Sequence, residues 1–110
     1  MAKETIMLCC AAGMSTSLLV KKMQDAAAAV GKDAEIFAVS ASEADQQLET
    51  KNIDCVLLGP QVRYMESDFK KKLAGRKNGA DIPLAIIDMR SYGMMDGKTV
   101  LAQADKLING

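Results

Sequence analysis

The sequence predicts an α/β protein with a four-stranded parallel sheet, strand order 2-1-3-4, and helices on both faces. Two observations lead to this fold class. Four short apolar stretches alternate with four stretches of helical periodicity along the 110 residues, and strands separated by helices run parallel with right-handed crossovers. The first and third apolar stretches are apolar on both sides, as in central strands, so the second and fourth are expected outside them.

The first strand and helix are joined by a loop of small residues. Residues 6–8 form an apolar run that predicts a strand, and Ser15 or Thr16 is expected to cap a helix that runs to about Val30. Gly31 is expected to end this helix, because glycine readily adopts the left-handed conformation found there. The buried face is predicted from apolar residues at helical spacing, which are Leu19, Met23, Ala26 or Ala27, and Val30.

The second strand and helix are predicted to lie at an edge of the sheet. Residues 34–39 form the strand, and Glu35 within it indicates less complete burial than in the other strands. Ser40 and Glu43 have the spacing of a capping box. A mostly polar helix is therefore expected at about residues 42–50.

The third and fourth units complete the predicted sheet. Residues 55–58 are apolar without interruption, as in a central strand, and a helix is expected over about residues 62–74. Residues 84–88 predict the fourth strand. Asp96 or Gly97 is expected to begin the last helix, which would turn its apolar face inward.

The composition predicts a single domain over residues 1–110 and narrows the possible functions. The net charge is zero, with 14 Lys and Arg against 14 Asp and Glu, so no nucleic-acid partner is expected. No apolar stretch approaches the ~20 residues of a membrane span, and none near the start is long enough for a signal peptide, so a cytoplasmic location is expected. Histidine is absent, and we expect neither a metal nor a cofactor.

Cys10 is the predicted nucleophile. It follows the first strand and precedes a run of small residues that opens a helix, where backbone N–H groups and the positive helix end can hold an anion. A thiol that faces such a loop is expected to react with a phosphoryl group. Cys9 should point to the opposite face, into the core, and Cys55 begins a buried strand. The predicted phosphate-binding residues are Ala11, Ala12, Gly13, Met14, Ser15, Thr16 and Ser17.

The spacing around Cys10 does not match other anion-binding loops. A Walker loop needs Gly-Lys-Ser/Thr, a dinucleotide loop needs G-x-G-x-x-G, and a redox pair needs C-x-x-C; none is present. Cysteine phosphatases and arsenate reductases use C-x5-R, but the arginine position counted from Cys10 is Thr16. A phosphatase-like enzyme and a non-catalytic regulatory module of similar fold are the alternatives. For the hydroxyls of residues 15–17, phosphate contact and helix capping both stay open.

The stretch L-C-C-A-A-G-M-S-T-S-L-L-V at residues 8–20 resembles the signature of a family of bacterial transport proteins. These are the IIB subunits of the lactose/cellobiose (chitobiose) class of the sugar phosphotransferase system (PTS). The stretch L-L-G-P-Q at residues 57–61, followed by Tyr64 and Met65, is similar to a second family stretch. Residues 88–97 are similar to a third, so the resemblance covers essentially the whole chain.

The resemblance implies a fold and a function. The fold would be the flavodoxin/Rossmann-like three-layer arrangement, similar to that of low-molecular-weight tyrosine phosphatases. The function would be that of a phosphotransferase component: Cys10 accepts a phosphoryl group from a phosphohistidine of the IIA subunit. It then passes the group to a sugar such as cellobiose, chitobiose or lactose, which the membrane IIC subunit binds. Association with the membrane would occur only through IIC.

Contacts with partners are expected around Cys10. The turns after strands 3 and 4 should lie on the same rim as the loop, because ligands of such sheets bind at the carboxyl ends of the strands. The candidate contact residues are Met14, Gln61 and Tyr92. A purely structural role in these loops is the other interpretation of the three.

Overall fold

The sheet of the computed structural model has the strand order β2-β1-β3-β4, with all neighbours parallel, so the predicted topology is confirmed. The structure describes residues 4–10, 14–76 and 79–109, with the backbone alone for residues 14–16. The strands are β1 (Glu4–Cys10), β2 (Ala34–Ser40), β3 (Cys55–Leu58) and β4 (Leu84–Ile86). The winding direction therefore reverses between β1 and β3, which makes their carboxyl ends the expected position of a site.

Helices cover both faces of this sheet and define two separate core layers. On one face, α1 (Met14–Ala29) and α5 (Gly97–Asn109) pack against every second side chain of β1, including Ile6 and Leu8. On the other face, α2 (Ala44–Thr50) and α3 (Glu66–Leu73) pack against the alternate ones, including Met7 and Cys9. The period of two along a strand thus assigns neighbouring residues of β1 to different layers.

The ends of the predicted helices are mostly as expected. Gly31 has φ +68°, and its N–H donates to Ala28 O while Lys32 N donates to Ala27 O, the pair of bonds that closes a helix with a left-handed residue. The capping box of Ser40 and Glu43 is also present, and it opens a short 3₁₀ turn that leads into α2.

Two helical segments differ from the prediction. The helix expected over residues 62–74 begins as a 3₁₀ helix, Pro60–Met65, because Val62 has non-helical dihedral angles, and only Glu66–Leu73 is α-helical. The fourth strand is shorter than expected, and a short helix, α4 (Met89–Gly93), follows it. Asp88 caps α4 by accepting hydrogen bonds from Ser91 N and Oγ, which ends the strand pattern early.

Candidate functional site

Cys10 lies at the carboxyl end of β1, between the segments that follow β2 and β3. It pairs with Ser40 in the parallel register. On the other side, Gly59 N donates to Cys9 O at 2.8 Å, and a methyl group placed on Gly59 would be 3.7 Å from Cys10 Cβ. The turn after β3 is therefore directly beside Cys10, as the strand order predicts.

The side chain of Cys10 is more enclosed than the sequence suggests. A thiol at the mouth of an open loop was expected, whereas Cys10 is only 1% exposed. Gln61 lies close to the same turn beside Cys10: a methyl group placed on Gly59 would be 2.9 Å from Gln61 Oε1. Gln61 is itself exposed, so its side chain can move aside without loss of core packing.

Cys9 is a core residue, as expected from the alternation of side chains along β1. It is fully buried in the layer formed with α2 and α3. Burial, with a smaller contribution from the neighbouring Cys10, raises the pKa of the Cys9 thiol to about 12, even though the Lys72 ammonium acts to lower it. A thiol with such a pKa stays protonated at neutral pH and is therefore a poor nucleophile.

The raised pKa of Cys9 predicts a loss of stability in alkali. The thiol binds its proton more tightly in the fold than in the unfolded chain, where the ordinary pKa is 9.0, so its contribution is complete below that value. It is lost as the pH rises from 9.0 towards about 12, by on the order of 4 kcal/mol over the whole range. Urea unfolding at about pH 8 and about pH 11 measures this loss.

The matched variant for this experiment is Cys9→Ala. Other groups of the protein also lose protons in the alkaline range. The loss of stability that is due to Cys9 is therefore the loss measured for the wild type minus the loss measured for Cys9→Ala. The variant should start less stable, since a buried sulfur is removed, but should lose less stability on going to alkaline pH. Equal losses in both proteins would show that the Cys9 pKa is not raised.

The predicted phosphate loop is only partly within the described residues. Ala11, Ala12 and Gly13 lie outside them, as do the side chains of Met14, Ser15 and Thr16. The backbone of α1 begins at Met14, four positions after Cys10, and its first turn carries no acidic residue. Ser17 is exposed. A helix N-terminus thus follows Cys10 closely, and the roles of these seven residues stay predictions.

Tyr92 does not fit its predicted role as a contact residue. It lies in α4 and is 7% exposed, because its ring packs into the core layer with α1 and α5. Tyr64 is 79% exposed instead, in the 3₁₀ helix after β3. Its position was recognisable in the sequence, since it lies off the apolar face that Val62 and Phe69 define. Exposed Met89 begins α4, and exposed Met94 follows its last residue.

Asp88 and Asp96, either of which could supply the acid of a phosphatase-like enzyme, are both engaged in helix caps. Asp88 accepts hydrogen bonds from Ser91, and Asp96 accepts from Thr99 N at 3.2 Å and Thr99 Oγ1 at 2.7 Å. The hydrogen bonds from Thr99 hold the pKa of Asp96 below its ordinary value. An ionised carboxylate cannot donate a proton to a leaving group, so Asp96 is unsuited to that role.

Comparison with known proteins places the chain in a family. The model described as "PTS system, Lactose/Cellobiose specific IIB subunit" matches residues 5–103. The chain therefore belongs to this family and is a sugar-specific IIB component of the phosphotransferase system, of the lactose/cellobiose class. Among residues 4–10, 14–76 and 79–109, no helix is both long and apolar enough to cross a membrane.

Curated relatives match along nearly their full length. The galactose-specific EIIB component of Lactococcus lactis subsp. cremoris and the cellobiose-specific EIIB component of Lactococcus lactis subsp. lactis are each 50% identical over 112 residues. Each match covers 99% of this chain and 100% of the relative. The oligo-beta-mannoside-specific EIIB component of Bacillus subtilis is 43% identical, with 96% of both chains covered.

Two solved structures share the fold. The cellobiose-specific IIB component of Borrelia burgdorferi superposes with a TM-score of 0.77 at 31% identity, covering 98% of this chain and 94% of that one. The lactose-specific IIB domain of Streptococcus pneumoniae superposes with a TM-score of 0.78 at 16% identity, covering 96% and 98%. At 16% identity, the similarity to the Streptococcus pneumoniae domain supports the fold alone.

Proposed function

We propose that this chain, as one domain over residues 1–110, is a phosphoryl carrier and that Cys10 is its phosphorylated residue. The observation that carries the proposal is the position of Cys10. It ends a central strand at the point where the winding reverses, four positions before the N-terminus of α1. The raised pKa of Cys9 keeps it protonated, and its side chain is turned into the core layer with α2 and α3, whereas Cys55 begins β3 at the opposite end of the sheet, so neither competes for this role.

In the first step a phosphohistidine of the IIA subunit would donate the phosphoryl group; this chain contains no histidine of its own. The Cys10 thiol loses its proton to solvent, and the sulfur attacks phosphorus. An S–P bond forms, the N–P bond breaks, and the electron pair of the broken bond stays on the imidazole nitrogen. The backbone N–H groups of residues 11–17 would hold the phosphoryl oxygens.

In the second step the group leaves for a sugar held by the membrane IIC subunit. A sugar hydroxyl oxygen attacks phosphorus, an O–P bond forms, and the S–P bond breaks with its electron pair returning to Cys10. The hydroxyl proton passes to the departing sulfur and restores the thiol. The chain would act on the cytoplasmic side, and association with the membrane would occur through IIC.

The sugar itself is best assigned to the partner that binds it. Two relatives with the same identity to this chain carry different sugar names, galactose and cellobiose. A sequence identity of 50% to a relative therefore does not reveal which sugar is transported. We propose a cellobiose- or lactose-like sugar as the class of substrate and assign no single sugar. Met14 and Gln61 are the proposed partner contacts, in an interface small enough to dissociate after each transfer.

Mass spectrometry of the intact protein tests this function. Incubation with phosphorylated IIA subunit should add a single phosphoryl group, and fragmentation should locate it on Cys10. A group found on any other residue, or none at all, would refute the proposal. Turnover of an aryl phosphate by the chain alone would favour the phosphatase alternative instead.

The phosphorylated protein should be long-lived on its own. Thr16 stands at the position where the C-x5-R loop of a phosphatase has its arginine, and Asp88 and Asp96 are engaged in helix caps. None of these three residues is therefore suited to activate water or to protonate the sulfur. Phosphorus NMR of the isolated carrier at neutral pH should show a phosphocysteine that outlasts the intermediate of an active phosphatase by far. Addition of IIC and sugar should discharge it quickly, whereas equally fast loss without them would contradict the carrier role.

A further inference from the structure

The surroundings of Gly59 show which side chains share the space beside Cys10. Gly59 directly follows β3, and its N–H continues the pairing with β1 by donating to Cys9 O. Alternate residues of the two strands, ending with Leu8 and Leu57, pack in the layer with α1 and α5. By the same alternation, Cys10 and Gly59 face that side of the sheet.

The backbone does not require glycine at position 59. Gly59 has φ −64° and ψ 152°, a conformation that any residue adopts and that suits the position before a proline. A side chain there would meet the amide of Gln61, since Gln61 Oε1 is 2.9 Å from the position of a methyl group on Gly59. The missing side chain of Gly59 therefore leaves room for the Gln61 amide on the face to which Cys10 points.

The same point shows how near this amide is to Cys10. A methyl group on Gly59 would be 3.7 Å from Cys10 Cβ and 2.9 Å from Gln61 Oε1. Cys10 Cβ and Gln61 Oε1 are therefore at most about 6.6 Å apart, the sum of these two distances. The oxygens of a phosphoryl group on Cys10 would lie three bonds beyond Cβ, and a hydrogen bond spans about 2.9 Å more. The amide is thus within reach of such a group.

The Gln61 side chain is available for this contact. In the part of the chain that the structure describes, no hydrogen bond engages its amide, whereas Gln24 and Gln103 donate to backbone carbonyls. Gln61 is exposed, so its side chain can rotate without disturbing the core. A half-turn of the amide exchanges Oε1 and Nε2, and an anion selects the Nε2 side, because only the NH₂ group donates.

We propose that Gln61 binds the phosphoryl group on Cys10, with its Nε2–H donating to a phosphoryl oxygen. The inference rests on the proposed function of Cys10. It goes beyond a contact of Gln61 with a partner subunit, because the hydrogen bond would exist in the isolated phosphorylated carrier. It also adds a side-chain donor to a site whose loop has no cation, since no lysine or arginine lies between Cys10 and Val20.

An amide suits a carrier better than a charged donor would. The hydrogen bonds of a guanidinium to a phosphoryl group are charge-assisted and often bidentate, and they hold the anion strongly. A neutral NH₂ group gives a weaker bond, which stabilises the dianion and still releases it to the next acceptor. The exposed position of Gln61 lets its side chain move as the group arrives and leaves.

The main test measures the equilibrium of phosphoryl transfer between the IIA subunit and this chain. Gln61→Met keeps the approximate size of the side chain but removes the donor, and should shift the equilibrium about tenfold towards phosphorylated IIA subunit. Gln61→Glu should shift it further, because a carboxylate repels the phosphoryl dianion. Gln46→Met and Gln46→Glu, at an exposed position of α2, are the matched controls and should leave it unchanged. Intact mass spectrometry measures the phosphorylated fraction of both proteins.

The equilibrium distinguishes a contact with the phosphoryl group from a contact with the partner. A residue that only binds the IIA subunit changes the rates of transfer in both directions by the same factor. It leaves the equilibrium between the dissociated proteins unchanged. A residue that contacts the phosphoryl group stabilises the phosphorylated carrier alone, and its removal therefore shifts the equilibrium.

A second measurement observes the contact in the carrier by itself. After phosphorylation and removal of the IIA subunit, a proton–nitrogen NMR spectrum reports the side-chain amides. The signal of the Gln61 amide, identified by its absence in Gln61→Met, should move downfield on phosphorylation. The signal of the Gln46 amide should stay in place.

The outcomes separate this inference from the proposed function. An unmoved Gln61 signal, or a wild-type equilibrium in Gln61→Met, would overturn the phosphate contact while phosphorylation of Cys10 stands. An equal shift of the equilibrium in Gln46→Met would also overturn it, since the effect would then not depend on the position of the amide. If the wild-type protein accepts no phosphoryl group on Cys10, the proposed function fails, and the role of Gln61 fails with it.

Discussion

Replacing Cys10 by serine should leave the fold intact and abolish phosphoryl acceptance. The side chain belongs to neither of the two apolar core layers, and serine differs from it by one atom, so the cost in stability should be small. A hydroxyl is far less ionised than a thiol at neutral pH and is therefore a much weaker nucleophile. The intact mass of the protein after incubation with phosphorylated IIA subunit measures the loss of phosphoryl acceptance. An NMR spectrum of the backbone amides verifies that the variant is folded.

The control for this experiment is the adjacent residue. Cys9→Ala removes a thiol one position earlier, in the opposite core layer, and should reduce stability while leaving phosphoryl acceptance in place. The opposite pattern, with Cys9→Ala inactive and Cys10→Ser active, would mean that the register of β1 relative to the site is wrong by one residue.

Replacing Gly97 by alanine should destabilise the protein strongly. Gly97 opens α5 where this helix touches α1, and a methyl group there would lie 2.4 Å from Lys22 C and 2.6 Å from Met23 N. These are backbone atoms, so the two helices would have to separate along the layer that α1 and α5 share with β1. We expect a loss of about 3 kcal/mol in the free energy of unfolding, the upper part of the range for overpacking. Urea denaturation measures it.

Gly93→Ala is the matched control for Gly97→Ala. Gly93 also lies in a helix, but a methyl group on it meets nothing within 4 Å. Alanine is intrinsically favoured over glycine in helices, so this variant should equal or exceed the wild-type stability by up to ~1 kcal/mol. A similar loss in both variants would show that the close approach of α1 and α5 is not the cause.

The order of the strands could be predicted because it depends on patterns that local residues determine. The uninterrupted apolar run of β3 indicates burial on both faces, and Glu35 marks β2 as an edge. The same is true of Gly31 and of the capping box at Ser40, where a few neighbouring residues determine the conformation. These features do not depend on contacts between distant parts of the chain.

The parts that were wrong or missed depend on tertiary contacts. For Tyr92, partner contact and a structural role were both open, and the burial of its ring in the layer with α1 and α5, in the helix that Asp88 caps, favours the structural role. The ion pair of Lys72 with Asp45 could not be predicted, because the three adjacent lysines of residues 70–72 look alike in sequence. Only the approach of Asp45 from α2 distinguishes Lys72 from its neighbours, and that contact spans 27 positions of the chain.

The alternation of β1 also bears on how this protein meets oxidants. Two adjacent cysteines can in principle form a disulfide with each other. Cys9 and Cys10, however, belong to an extended strand that pairs on both sides, and their side chains point to opposite faces of the sheet. Joining the two sulfurs would require the end of β1 to give up its extended conformation. The extended conformation of β1 thereby keeps the two thiols from forming a disulfide with each other. Oxidative damage at Cys10 should end in a mixed disulfide with a small cellular thiol, which reduction reverses, and not in an internal bond.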